Sequence, residues 1–149
     1  MERYLSRSVD TERIDEQQNM SNNTPDVIVD FIFEHGLLYI ALVNIGGAPA
    51  YNISVIFDSK IRGVGGSRLI SSLSLFKHTQ FMPPHKEIRT FLDTSASYFA
   101  HKQPLKISAA IAFTDREGKK YTSVIKHNLD IYRDIGYIRI PGNKPALPL

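Results

Sequence analysis

The 149-residue chain contains no cysteine and no tryptophan. The first absence excludes a disulfide framework, a thiolate zinc site and a cysteine nucleophile together. It also fits a reducing cytoplasm, which is the expected location. The two absences jointly remove the cysteine–tryptophan core of antibody domains. No stretch approaches the ~18 consecutive apolar residues of a membrane-spanning helix. The first residues form no apolar segment of the kind a secretory signal needs, so a soluble chain is expected. Runs of five or more like charges are also missing.

The net charge is +3, and it is unevenly spread. Residues 1–25 carry Arg3, Arg7 and Arg13 against Glu2, Asp10, Glu12, Asp15 and Glu16, which leaves 15 basic and 10 acidic groups for the remainder. A mildly basic body is compatible with an anionic partner. Its cations are dispersed as singles and pairs, however, as on an ordinary solvated surface. Residues 1–25 read as a polar arm with at most a short helix near residues 9–18, ending in the linker Asn19–Pro25. Residues 26–132 read as one domain. Residues 133–149, with Pro141, Pro145 and Pro148, read as an extended tail.

Within the domain, hydrophobicity alternates with period two. Val27, Val29, Phe31 and Phe33 share one face, and Glu34-His35-Gly36 supplies a turn. Leu37–Ile45 is apolar on both faces, as in an inner strand. The corner Gly46-Gly47-Ala48-Pro49 interrupts the ladder. Tyr51, Ile53, Val55 and Phe57 are expected inward, with Asn52, Ser54 and Asp58 outward. Gly63–Ser67 reads as a flexible loop, Arg68–Ile70 as a short edge strand, and Leu73, Leu75, Phe76 and Phe81 as a cover for one end of the core. Pro83-Pro84-His85 is a turn before a strand from Lys86 to Leu92. Asp93 or Thr94 caps a helical turn through Ala100. Leu105–Phe113 is the longest strict alternation, Asp115–Gly118 a hairpin turn, and Tyr121–Ile131 the returning strand. About seven strands with almost no helix predict an all-β, immunoglobulin-like antiparallel β-sandwich.

The stretch Leu42-Val43-Asn44-Ile45-Gly46-Gly47-Ala48-Pro49-Ala50-Tyr51-Asn52-Ile53-Ser54-Val55 resembles the V-x-N-x-G-x-x-x-A-x-N-V-x-V strand pair of CARDB-like and related prokaryotic immunoglobulin-like domains. The resemblance spans roughly residues 26–131, and its sharp part is about fifteen residues long. Pro83-Pro84-His85 stands where those domains have a Pro-Gly turn, with His85 in place of the usual glycine. The resemblance implies a binding or spacer module and supplies no activity.

No constellation points to catalysis. His35, His78, His85, His101 and His127 lack the spacing of a helical zinc site, and His127 reads as a polar residue at the core edge. The glycine loop lacks the Gly-Lys-Ser/Thr ending of a phosphate loop, and no Gly-x-Ser-x-Gly elbow exists. Asp93, Asp115, Glu117, Asp130 and Asp134 read as turn or outward positions with no reason to pair. No catalytic residue, metal or cofactor is expected. The leading expectation is therefore a non-enzymatic module that binds another protein through loops or an edge strand. Nucleic-acid or polyanion binding through the basic body is the alternative. Two surfaces are candidates: Lys60, Arg62 and Arg68 around the glycine loop, and Tyr98, Phe99, His101 and Lys102. The competing role for Tyr98 and Phe99 is to plug the open end of the sandwich.

Overall fold

Strand alternation translates directly into two packed sheets. A computed structural model describes residues 23–135, so the expected arm up to residue 22 and the tail beyond residue 135 lie outside the described residues. One sheet has the order β1 (Val27–Glu34), β2 (Leu37–Asn44), β7 (Glu87–Thr94). The other has the order β6 (Thr79–Met82), β3 (Ala50–Phe57), β8 (Lys106–Thr114), β9 (Lys120–Asn128). Every pairing is antiparallel. The chain changes sheet between β2 and β3, between β6 and β7, and between β7 and β8, which is immunoglobulin-like connectivity. Among the described residues there are nine strands where about seven are expected. The two additions are β4 (Arg62–Gly63), which pairs with β5 (Arg68–Leu69, the expected short edge strand) in a small hairpin across the stretch read as a flexible loop, and β6, where no strand is expected.

The inward registers of both sheets meet in one core. Val27, Val29 and Phe31 face Leu38, Ile40 and Leu42 along one sheet, and Ile53, Val55, Ile107, Ala109, Ile111 and Phe113 supply the other. A short 3₁₀ turn (Ile70–Ser72) and α1 (Ser74–Lys77) bring Ile70 and Phe76 fully under cover, with Phe76 edge-on to Phe57.

Three local expectations change. Asn52 adopts φ 52° where the β3 register shifts between Tyr51 and Ser54. This bulge moves Ala50 into the core and turns Tyr51 outward against Phe81. Phe81 consequently lies 51% exposed and covers no core end. The last strand stops at Asn128, whose Oδ1 accepts the Asp130 N–H at 3.0 Å and starts α3 (Asp130–Ile135). Leu129 is buried, but Ile131 points to solvent instead of continuing the strand face, and residues 133–135 are helical where the extended tail is expected.

Candidate functional site

Asn44 explains the most recognisable stretch of the sequence. Its side chain is fully buried. Oδ1 accepts the Asp26 and Gly46 N–H groups, each at 3.1 Å, and Nδ2 donates to Ala48 O at 2.9 Å and Met82 O at 3.1 Å. One amide thus ties together the entry to β1, the corner after β2 and the exit from β6. A β-carbon on Gly46 would collide with the Thr24 carbonyl, 2.3 Å away. His85, the residue in place of glycine, adopts φ 66°, and its N–H donates to Asn44 O at 2.8 Å. The Asn44 amide is thereby committed to the scaffold.

The two surfaces expected from the sequence meet at one end of the sandwich. Gly63 lies so close to β7 that an added Cβ would sit 1.9 Å from Leu92 O. Val64 N–H donates to that same carbonyl, and Gly65 N–H to Asp93 Oδ2 at 3.0 Å. The glycine stretch is therefore pinned to β7, and Asp93 is a buried anchor and not an outward turn residue. The hairpin tip lies beside the His101 ring, and the Arg62 N–H donates to Gln103 Oε1 at 3.2 Å. Arg62, Arg68, His101 and Lys102 are exposed around this junction.

Tyr98 and Phe99 belong to the lid of that end. Thr94 caps α2 (Ser95–Ala100) by accepting the Ser97 N–H. Tyr98 is fully buried and donates to Pro104 O at 2.6 Å, so it offers no surface to a partner. Burial, with Asp93 nearby, pushes its phenol well above the usual tyrosine range. Phe99 is half-buried, with the Arg133 guanidinium 5.2 Å over its ring centre. Lys60 lies apart from this group. It lines an open cleft of about 540 Å³ with Lys77, His78, Asp58 and several serines. Asp58 is committed to the Ser108 N–H at 2.9 Å.

The edge strands differ in what covers them. In β1, Ile45 N–H donates to Asp26 O, so even-numbered residues bond β2 and odd-numbered ones face outward. Two of those outward carbonyls are occupied: His127 Nε2–H donates to Val29 O at 2.7 Å and the Tyr132 hydroxyl to Phe31 O at 3.1 Å. On β7 the hairpin sits on Leu92, and Arg89 pairs with Glu87 and Glu34 further along. β6 is only four residues long. β9 has nine, and among the described residues it pairs with β8 alone. Leu129 N–H donates to Leu105 O, and Asp115 N–H to Lys119 O. By the alternation of the ladder, Lys120, Thr122, Val124, Lys126 and Asn128 carry outward backbone groups. Their side chains are exposed too.

A family model described as a domain of unknown function (DUF8453) matches residues 3–133. The chain belongs to that family. No curated protein and no solved structure matches it. In this DUF8453 chain the surface feature that periodicity did not single out is the outer face beside β9. Ile56, Ala110 and Val124 stand directly across from one another on β3, β8 and β9. Ile56 is 73% and Val124 64% exposed. The available signal was an apolar residue on the polar register of each strand. Among the described residues no group of three or more His, Asp or Glu gathers as a metal site, and no helix is long and apolar enough to cross a membrane.

Proposed function

We propose that this domain is a non-catalytic interaction module that binds another polypeptide by adding an extended segment to the edge of β9, which among the described residues pairs with β8 alone. The observation that carries the reading is the contrast among edges. Side chains, a hairpin, ion pairs or shortness blunt β1, β7 and β6, whereas β9 keeps five residues with outward backbone groups. Main-chain hydrogen bonds supply affinity in strand addition, and the neighbouring side chains supply selectivity. The row Ile56–Ala110–Val124 leads apolar surface up to that edge. Membership among CARDB-like modules, which bind or space other domains, accords with this role and is part of the proposal.

The test is photocross-linking of the full chain with a reactive side chain at position 124, compared with the same group at position 101. Adducts at 124 that disappear when Thr122→Pro is added support the edge. The Thr122 N–H faces away from β8, so proline there blocks pairing and spares the ladder. Adducts at 101 with none at 124 would move the contact to the loop end and overturn the edge reading.

A second reading is polyanion binding at the Lys60 cleft. Lys60, Lys77 and His78 line it, and among the described residues neither ammonium group has an ion-pair partner. Titration with a nucleic-acid duplex at rising salt decides it, since charge-driven affinity falls steeply with salt. No binding at low salt removes the reading.

A further inference from the structure

We infer that the segment received by the β9 edge is β9 of a second copy, paired antiparallel about a two-fold axis at Val124. This rests on the reading of β9 as the binding edge and names its partner. Val124 is the midpoint of Lys120–Asn128. A two-fold axis there sets Val124 against Val124, Thr122 against Lys126 and Lys120 against Asn128. All five residues with outward backbone groups then face residues of the same kind, giving about ten new ladder hydrogen bonds. No lysine stands directly opposite a lysine, so the arrangement avoids the like-charge pairing that destabilises facing strands.

The apolar row gives the pairing its side-chain contact. Ile56, Ala110 and Val124 of one copy continue into Val124, Ala110 and Ile56 of the other across an eight-stranded sheet. The lysines define the register. Sliding the pair two residues along the strands in one direction sets Lys120 against Lys126. Centring it on Lys126 or Lys120 sets those residues against themselves. Lysine on an edge strand ordinarily discourages pairing; here it leaves one fully overlapping register without a direct clash.

The chain has no cysteine, so a single introduced thiol reports one position. In the proposed pair, residue 124 meets its copy with Cα atoms about 5.5 Å apart, whereas the two residues 122 are offset by four positions, roughly 14 Å. A thiol-to-thiol reagent spanning roughly 8 Å should therefore link Val124→Cys to itself. It should not link Thr122→Cys to itself, but it should link a mixture of Thr122→Cys and Lys126→Cys. Sedimentation of the unmodified full chain should rise with concentration toward twice its 16.8 kDa. Val124→Pro, which leaves the β8 ladder intact, should remain monomeric. Equal linking at 122 and 124 would overturn the register. A monomer at every concentration, with no link at 124, would overturn the second copy as occupant. If the photoreactive group at 124 still captures a different polypeptide in that case, the edge remains the binding site and only its occupant is wrong; if it captures nothing, both readings fall.

Discussion

Replacing Asn44 should unlock the corner on which the fold turns. Asn44→Ala removes four hydrogen bonds of 2.9–3.1 Å. Two of the abandoned partners, Gly46 N–H and Met82 O, are in buried contacts, and Asp26 N–H and Ala48 O are in partly buried ones. A buried group left unpaired costs about 1–3 kcal/mol, and a partly hydrated one loses about 0.5–1 kcal/mol, so the substitution should cost about 3–8 kcal/mol. That is a large share of the roughly 5–15 kcal/mol that holds a domain together. In urea unfolding, with a slope of about 2 kcal/mol/M, the midpoint should fall by about 1.5–4 M at unchanged slope.

Asn44→Asp separates the hydrogen-bonding account from simple loss of volume. The carboxyl keeps the acceptor for Asp26 and Gly46 but turns a second oxygen toward the Ala48 and Met82 carbonyls. Burial and those carbonyls favour the protonated acid, so its folded pKa is raised above the unfolded one. The variant should therefore be least destabilised at low pH and lose stability as pH rises through that folded value. A midpoint within 0.5 M of the wild type for Asn44→Ala, or a pH-independent deficit for Asn44→Asp, would refute the reasoning.

Three further outcomes test neighbouring parts of the fold. His85→Gly should stabilise the protein by about 0.5–1 kcal/mol by relieving a left-handed conformation, as read from the urea midpoint. Gly63→Ala should lift the β4–β5 hairpin off Leu92, and hydrogen exchange at the Val64 amide should accelerate before that of β8. Burial alone would raise the Asp115 pKa, but hydrogen bonds from Lys119 N–H, the Tyr121 hydroxyl and Glu117 N–H outweigh it and hold the carboxyl below its ordinary 3.8. Because the folded value is the lower one, this stabilisation is full above roughly pH 5. It is lost as pH falls through the folded pKa, so acid should narrow the stability gap between the wild type and Asp115→Asn.

The strands were legible wherever one face had to be buried. Leu105, Ile107, Ala109, Ile111 and Phe113 announce β8 because a one-residue slip would expose the whole set. The Gly46–Pro49 corner was equally plain. Periodicity carries no information on which strand neighbours which, and that is where the candidate site was hidden. Nothing local to His127 and Tyr132 reveals that they cap carbonyls about a hundred residues away on β1. The bulge at Asn52 preserves residue composition while reversing the faces of Ala50 and Tyr51. Tyr98 and Phe99 beside cations suited a contact surface, yet only the placement of the sandwich end decides that Tyr98 is covered. Val124 and Ile56 were visible as apolar residues on polar registers, but their importance depends on β3, β8 and β9 lying in that order.

Charge at position 122 offers the sharpest discrimination between a general sticky edge and the two-fold pair. Thr122 is exposed and on the outward register of β9, so changing it should leave the β8 ladder and the urea midpoint nearly unaltered. In the proposed dimer each Thr122 faces Lys126 of the second copy, and the pair occurs twice. Thr122→Glu then creates two attractive cross-strand pairs, and Thr122→Lys two repulsive ones. At about 0.2–1 kcal/mol per facing pair, the dimer dissociation constant should tighten or weaken by roughly 2-fold to 30-fold. Added salt should shrink both effects, since the charges are exposed. An edge that binds acidic segments would respond in the opposite sense, with Thr122→Lys binding more tightly. If both substitutions move self-association in the same direction, the facing of residue 122 with Lys126 is wrong, and with it the axis at Val124.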